Sequence, residues 1–224
     1  MTTLRATGAS APAPPSDPLD RRSGLRFTAY KWTLALAAAG VQSLVYFGIG
    51  RASINRSQDL LRTALDDAIP FWPWTAWFYL PFYAGIFIIC VTAIRSRLIF
   101  HRALAAIVVI MLLGATGHLM VGAEYPRPRL APPYADASAA FLAWVQRVDP
   151  PGNVFPSLHV AHSSALAGIL GWDRPRLGAL AFSMAVVLAL STLTTKQHFI
   201  ADVIAGLAIG LAARFLVLRR LPRR

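Results

Sequence analysis

Two histidines and one aspartate form the clearest chemical pattern in this sequence. His198 and Asp202 are four residues apart, just over one helical turn, so on a helix the carboxylate lies on the same face as the imidazole. A carboxylate placed there accepts a hydrogen bond from one ring nitrogen and leaves the other free to attack an electrophile. His159, thirty-nine residues before His198 and just after a Pro-Ser pair, is the candidate acid that complements this nucleophile.

These residues belong to two longer motifs. Gly152-Asn-Val-Phe-Pro-Ser-Leu-His159 and the stretch from Ser191 to Gly206 resemble the second and third signature motifs of the type 2 phosphatidic acid phosphatase superfamily. The second motif has Leu where phosphatases usually have Gly, and residues 67–74 read Asp-Ala-Ile-Pro-Phe-Trp-Pro-Trp. In both features the chain is more similar to the branch that contains fungal inositol phosphorylceramide synthase. The resemblance implies phosphoryl transfer from a lipid phosphate or phospholipid, to water or to a lipid alcohol.

Such a reaction needs donors that hold the phosphate, an in-line nucleophile and a proton for the leaving alkoxide. Arg127, between Pro126 and Pro128, offers a planar fork to two phosphoryl oxygens. Ser157 and the main-chain N–H groups of residues 157–159, at a predicted helix N-terminus, form an anion cradle. His198 then attacks phosphorus to give a phosphohistidine, while His159 protonates the departing oxygen and later activates the acceptor. This scheme requires no metal and no other cofactor.

Two cationic positions of the family are changed in this chain. The first family motif runs from a Lys to an Arg-Pro pair seven residues later, and the third opens with Ser-Arg; here the corresponding residues are Met120 and Thr192. Lys196 either replaces one of these phosphate ligands or is an interfacial lysine outside the site. The changes resemble those of the head-group transferase branch more than those of a simple phosphatase.

The composition is that of a membrane protein. Of the 224 residues, 56% are hydrophobic and only 14% are charged, and the mean hydropathy is +0.51. The net charge of +12 comes largely from Arg residues at the ends of apolar runs, which indicates membrane topology and contact with lipid head groups rather than nucleic-acid binding. The single cysteine, Cys90, predicts neither a disulfide framework nor a zinc site.

The apolar runs predict an all-α, polytopic membrane protein with six transmembrane helices in a bundle. Its predicted spans are residues 32–50, 74–94, 103–123, 157–172, 177–195 and 199–218. We predict a disordered cytoplasmic tail over residues 1–27 and a membrane domain over residues 28–220. Residues 51–67 are either an interfacial amphipathic helix or a polar loop. Residues 124–156 form the longest connection, where site residues are expected to gather.

The basic residues predict the orientation of the chain. With a cytoplasmic N-terminus, fifteen Arg and Lys residues lie inside and seven outside, as the positive-inside rule requires. This orientation places Arg127, His159, His198 and Asp202 together at the outer face, in what we expect to be the inner membrane of a bacterium. The alternative from another class is a non-catalytic lipid-binding or transport protein, which would more naturally carry its polar residues near the middle of the bilayer.

Other polar and small residues in the spans have structural interpretations. His118 is either a buried structural donor or part of a polar lining of the site. His159 and His162 have a spacing that zinc sites use, but no Cys or carboxylate completes a site, so no metal is predicted. Gly206 and Gly210 predict close packing between helices of the bundle, and less often dimerisation.

Overall fold

The protein is a bundle of helices. The computed structural model describes residues 18–52, 60–149, 151–219 and 221, and these ranges contain helices and no strand. The described helices are α1 (Pro18–Ala52), α2 (Ala64–Ala68), α3 (Ala76–Ala93), α4 (Arg97–Val121), α5 (Ala137–Val148), α6 (Leu158–Asp173), α7 (Pro175–Thr194) and α8 (Ile200–Leu218). A 3₁₀ turn over Pro73–Thr75 leads into α3. The all-α class predicted from the sequence is confirmed.

Five segments of the described chain are long and apolar enough to cross a membrane. They are Gly24–Arg51, Pro73–Ala93, Arg97–Val121, Pro175–Thr194 and Ile200–Leu218. The remaining predicted span, residues 157–172, corresponds to α6, which has 16 residues. A helix of that size is about 24 Å long, less than the roughly 30 Å of a hydrocarbon core. Because α6 packs against α3, α4, α7 and α8, its length is set by protein neighbours rather than by lipid.

The starts of two helices differ from the prediction. Helix α1 begins at Pro18, so residues 18–27 of the predicted tail are helical, while residues 1–17 lie outside the described part of the chain. A helix that is already formed extends at little cost into polar residues, because each added residue gains one hydrogen bond. Helix α4 begins at Arg97 because the Ser96 hydroxyl accepts the N–H of Ile99 as an N-cap.

The polar connections contain helices that the sequence reading did not assign. Within residues 51–67, residues 51–52 end α1, residues 53–59 lie outside the described part, and the five-residue α2 begins at Ala64. The long connection 124–156 contains α5, which begins at Asp136, whose carboxylate accepts the N–H of Ala139 at 2.8 Å. An Asp before an alanine-rich apolar run is a helix-start signal, so α5 was predictable from the sequence.

Helix α8 lies unusually close to α6. A Cβ at Gly206 would contact the Ser157 carbonyl, and a Cβ at Gly210 would contact the Ala161 carbonyl and the Ser164 hydroxyl. Only glycine lets the two backbones approach to this distance. The predicted role of this Gly-xxx-Gly pair in packing within the bundle is confirmed. It brings the start of α6, with His159, beside the start of α8, with Asp202.

Candidate active site

His198 lies in the short turn between α7 and α8, with its ring buried. Its Nδ1 donates a hydrogen bond to the carbonyl of Val154 at 3.1 Å. Because a neutral imidazole has one N–H, this bond places the free lone pair on Nε2. The Val154 carbonyl therefore selects the tautomer that a nucleophilic histidine needs.

Asp202 lies beside His198, at the outer limit of hydrogen-bond distance. The Asp202 Oδ2 atom is 3.4 Å from His198 Nδ1, longer than the hydrogen bond predicted from the four-residue spacing. The same oxygen accepts the main-chain N–H of Phe199 at 2.7 Å and so caps the first turn of α8. A carboxylate at this position reaches back to the cap N–H in preference to a ring at its side. Asp202 therefore contributes a nearby negative charge, while Val154 fixes the tautomer.

Helix α2 holds the turn that carries His198. The Asp66 carboxylate accepts the N–H of Ile200 at 2.8 Å, at the start of α8. In return, the Lys196 ammonium donates to the carbonyls of Asp66 and Ile69 at 2.7 and 2.6 Å. Burial lowers the pKa of Lys196, and the Asp66 carboxylate partly opposes this shift. Of the two interpretations of Lys196, these bonds favour a role in positioning the turn.

His159 lies in the first turn of α6 and faces His198. The two ring centroids are 6.2 Å apart with a 58° angle between the ring planes. The neighbouring Ser157 N–H donates to the carbonyl of Asp202 at 3.1 Å, which joins the two motifs through the main chain. This N–H is therefore not available to the predicted anion cradle. The buried Ser157 hydroxyl has no partner among the described residues and remains available to a ligand.

Aromatic side chains from α1 and α3 surround the other side of His159. The rings of Tyr79 and Tyr83 each lie 4.8 Å from it, and the ring of Tyr46 lies 6.4 Å from it. The Tyr79 hydroxyl is 3.0 Å from His159 Nδ1 and 3.4 Å from the Asp149 carboxylate. Both bonds form together when Tyr79 donates to Asp149 and accepts from an N–H of His159. We call these three tyrosines the aromatic box.

Asp149 links the aromatic box to Arg127. The Asp149 carboxylate accepts a hydrogen bond from the Tyr46 hydroxyl at 2.5 Å. The Arg127 guanidinium donates through one terminal nitrogen to the same carboxylate at 3.2 Å and through the other to the Asp149 main-chain carbonyl at 2.6 Å. The side chains of this ion pair are only 10% and 11% exposed. Burial would raise the pKa of Asp149, but the Arg127 cation, the nearby histidines and the Tyr46 hydroxyl together outweigh burial and lower this pKa. Part of the predicted phosphate fork is thus occupied by Asp149.

The structure brings His159, His198, Asp202 and Ser157 together, and it joins Arg127 to them through Asp149 and Tyr79. Sequence reasoning missed Asp149 and the aromatic box. Asp149 stands at the end of a polar loop beside prolines and carries no motif. The tyrosines lie in apolar runs, where their type alone indicates only buried or interfacial packing.

The other two histidines near the site, His118 and His162, donate hydrogen bonds to main-chain carbonyls. The buried Nδ1 of His118 donates to the carbonyl of Phe155 at 2.8 Å and so fixes the segment before α6, as the structural interpretation of this residue requires. The Nδ1 of His162 donates to Leu158 at 2.9 Å. Within the described residues, no group of three or more His, Cys, Asp or Glu side chains is arranged to hold a metal ion.

The two motifs lie together at the starts of α6 and α8, in a bundle of apolar helices. A family model described as the PAP2 superfamily matches residues 102–224, more than half of the chain. The chain belongs to the PAP2 superfamily, whose members are phosphatases and phosphotransferases that act on lipid substrates. No curated protein and no solved structure matched the chain.

The matched region includes both motifs and Arg127, and it excludes α1, α2 and α3. Asp66 and the aromatic box therefore come from the unmatched part of the chain. The apolar helices and the membership of the PAP2 superfamily indicate that the chain is an integral membrane protein.

Proposed function

We propose that this protein transfers a phosphoryl group from a membrane lipid through a phosphohistidine at His198. The single observation that carries the proposal is that the half-buried His159 faces the buried His198, with 6.2 Å between the ring centroids, while Val154 leaves the Nε2 lone pair of His198 free. In the proposal, one phosphoryl group lies between the two imidazoles. Each ring has one protein partner, Tyr79 for His159 and the Val154 carbonyl for His198, and these partners hold the two rings facing each other.

The reaction proceeds in two balanced steps. In the first, His198 Nε2 attacks phosphorus, a P–N bond forms, the P–O bond to the leaving alkoxide breaks, and His159 gives that oxygen a proton. In the second, His159 takes a proton from water or an alcohol, the new oxygen attacks phosphorus, and the P–N bond breaks. Tyr79 supports His159 in both steps because its hydroxyl can accept from the ring N–H while donating to Asp149.

The negative charge of the phosphate is balanced by Arg127 and held by the Ser157 hydroxyl and the free N–H groups at the start of α6. Two of the five guanidinium N–H groups of Arg127 are used on Asp149, and its buried Nε has no partner in the described part of the chain. The charge balance of Lys and Arg supports a site at the outer membrane face.

Transfer to a lipid alcohol is the version of the reaction that we favour over hydrolysis. Met120 and Thr192 stand where phosphatases of the family carry cations, and these departures resemble the inositol phosphorylceramide synthase branch. A site with fewer cations holds a free phosphate product less strongly. It depends more on neutral contacts to the rest of the lipid.

The test uses purified protein and a lipid phosphate labelled with ³²P. His198→Ala should abolish turnover and the acid-labile protein label, and His159→Ala should slow formation and breakdown of the label by about 10² to 10⁴. His101→Ala is the matched control, because His101 is exposed and bonds Tyr30 on another part of the bundle. A His198→Ala variant that retains turnover would refute the mechanism.

Two further conditions sharpen this experiment. Activity should persist in excess EDTA and be inhibited by orthovanadate, which occupies the phosphoryl position; loss on chelation with recovery on Mg²⁺ would contradict the scheme. Adding diacylglycerol or ceramide should divert label into a new lipid. Phosphate release at a rate independent of any alcohol would leave a phosphatase.

A further inference from the structure

An arginine lies within helix α8, at the end of the bundle opposite to the candidate active site. Arg214 is fourteen residues after Ile200, so it lies about 21 Å along the helix axis from the turn that carries His198. It stands about one turn before Leu218, the last residue of α8. A cation in an apolar span usually pairs with a carboxylate, a main-chain carbonyl or the head group of a lipid.

Within the described part of the chain, the Arg214 guanidinium has no protein partner. Its side chain forms no hydrogen bond and no ion pair with another described residue. Asp173, an acidic residue at the end of α6, instead accepts the main-chain N–H of Arg95 at 2.9 Å. Residues 203–224 contain five Arg and no Asp or Glu. The positive charge of this segment is therefore not neutralised by carboxylates of its own.

Gly168 on α6 fixes the position of the Arg214 side chain. A Cβ at Gly168 would lie 2.3 Å from Cδ and 2.6 Å from Nε of Arg214, closer than such atoms approach in proteins. Arg214 is half-buried, and its two terminal nitrogens, unlike the buried Nε, keep accessible surface. An arginine that only extends into water needs no such close fit for its stem. The fit holds the guanidinium in one place.

Arg214 lines a cavity of about 620 Å³ at this end of the bundle. The cavity wall also contains a second cation and several apolar side chains: Arg219, Trp172, Phe215, Leu218 and Leu221. Phe215 is 64% exposed, so the apolar wall continues onto the outer surface of α8. A separate cavity beside His159 shares no lining residue with this one.

The ligand that fits this cavity is an anion with an apolar part. Two oxygens of a phosphate match the planar fork of a guanidinium. No Asp or Glu is found among the described residues that line the cavity, so a head group with its own ammonium, such as phosphocholine, gains no partner for that cation. The apolar wall favours a phosphate that is attached to acyl chains over a free phosphate ion.

We propose that the Arg214 cavity binds the phosphate of an anionic phospholipid. The bound lipid is the partner that Arg214 lacks within the protein, and it bridges the last turns of α6 and α8. This inference is independent of the proposed phosphoryl transfer, because no residue is shared between the Arg214 cavity and the pair of His159 and His198.

The first test measures lipid binding by native mass spectrometry of the purified protein in a neutral detergent. The probes are dioleoyl phosphatidylglycerol and dioleoyl phosphatidylcholine. The wild type should bind one phosphatidylglycerol at least about tenfold more tightly than phosphatidylcholine, as expected for hydrogen bonds to a charged group. Arg214→Gln should bind one phosphatidylglycerol fewer at the same lipid concentration. Unchanged binding by Arg214→Gln would refute the proposal.

Arg97→Gln is the matched control for Arg214→Gln. It removes the same charge at the same end of the bundle, from a guanidinium that lies 5.3 Å from the Phe27 ring and outside the cavity. The control should bind as many phosphatidylglycerol molecules as the wild type. An equal loss in both variants would show a general attraction of basic residues to anionic lipid and overturn the specific site.

Gly168→Ala tests the geometry at constant net charge. The added methyl group displaces the stem of Arg214, so phosphatidylglycerol affinity should fall at least about threefold. Gly40→Ala, whose Cβ has nothing within 4 Å, should bind like the wild type. Unfolding midpoints without added lipid identify variants that are folded. Wild-type affinity in folded Gly168→Ala would overturn the proposal.

A competition experiment separates a membrane lipid from a soluble phosphate. Glycerophosphoglycerol is the deacylated head group of phosphatidylglycerol, and an excess of about 100-fold should leave the lipid bound, because it has no chains for the apolar wall. Displacement at equal concentration would make this a site for soluble phosphates and refute the lipid assignment. Specific lipid binding in a protein that forms no phosphohistidine would support the cavity and refute the proposed reaction alone.

Discussion

Replacing Asp149 with Asn tests whether the buried pair with Arg127 holds the site together. The substitution keeps the size of the side chain but removes the negative charge opposite a guanidinium that is only 10% exposed. A buried charge that loses its partner costs about 3–5 kcal/mol. In a chain of this size 1 kcal/mol corresponds to about 2–4 °C in Tm, so the range is about 6–20 °C. We expect the lower end, because the Asn oxygen can still accept from Arg127.

The assay is thermal unfolding of the purified protein in one detergent and at one scan rate, followed by tryptophan fluorescence. Asp136→Asn is the matched control, since it removes the same charge from the same loop while Asn still caps α5. The double variant Arg127→Gln, Asp149→Asn should recover part of the lost Tm, because no unpaired charge remains. Equal midpoints for Asp149→Asn and Asp136→Asn would refute the reasoning.

The Tm difference between the wild type and Asp149→Asn should depend on pH in a definite direction. Burial would raise the pKa of Asp149, yet Arg127, the nearby histidines and the Tyr46 hydroxyl together hold it below its usual range. A carboxylate with a lowered folded pKa stabilises the fold above its unfolded pKa of about 3.9 and loses this contribution as the pH falls through the folded pKa. The Tm gap between wild type and Asp149→Asn should therefore be constant from about pH 8 to 5 and close only below about pH 4. A gap that closes near neutral pH would contradict the assignment.

Two further substitutions test how the elements around the site are held. Gly206→Ala should lower kcat/KM by at least about tenfold because its Cβ would press on the Ser157 carbonyl, whereas Gly48→Ala, with nothing within 4 Å, should leave activity unchanged. Equal activities of the two variants would show that the close approach is unimportant. Lys196→Met should lower Tm by releasing α2 while changing KM less than about threefold; a KM raised tenfold at unchanged Tm would make Lys196 a phosphate ligand.

The positions of the apolar helices and the order of the candidate site residues could be read from the sequence. Apolar runs of about twenty residues predict spans whatever their neighbours are, because every backbone group in a bilayer must be bonded within its own helix. The pairing of His198 with Asp202 is also local, and so is the Gly206–Gly210 spacing. The short length of α6 and the presence of α5 were also partly predictable from the sequence, because Asp136 is a recognisable helix N-cap.

The exact bonding of the reactive residues was decided by contacts that are distant in sequence. His198 is fixed by Val154, forty-four residues earlier, and the carboxylate of Asp202 is used on the cap of its own helix. Lys196 is bonded to carbonyls of α2, more than 120 residues earlier. A four-residue spacing brings two side chains within reach, but which partner each one takes depends on every donor and acceptor that the fold brings near.

The aromatic box was decided only by tertiary structure. Tyr46 meets Asp149 across 103 residues and Tyr79 meets His159 across 80. In a soluble helix, the polar and apolar faces show which side turns inward. In these spans nearly all faces are apolar, because lipid and protein core favour the same side chains. The rotation of α1 and α3 that points their tyrosines at His159 is therefore set by packing between helices.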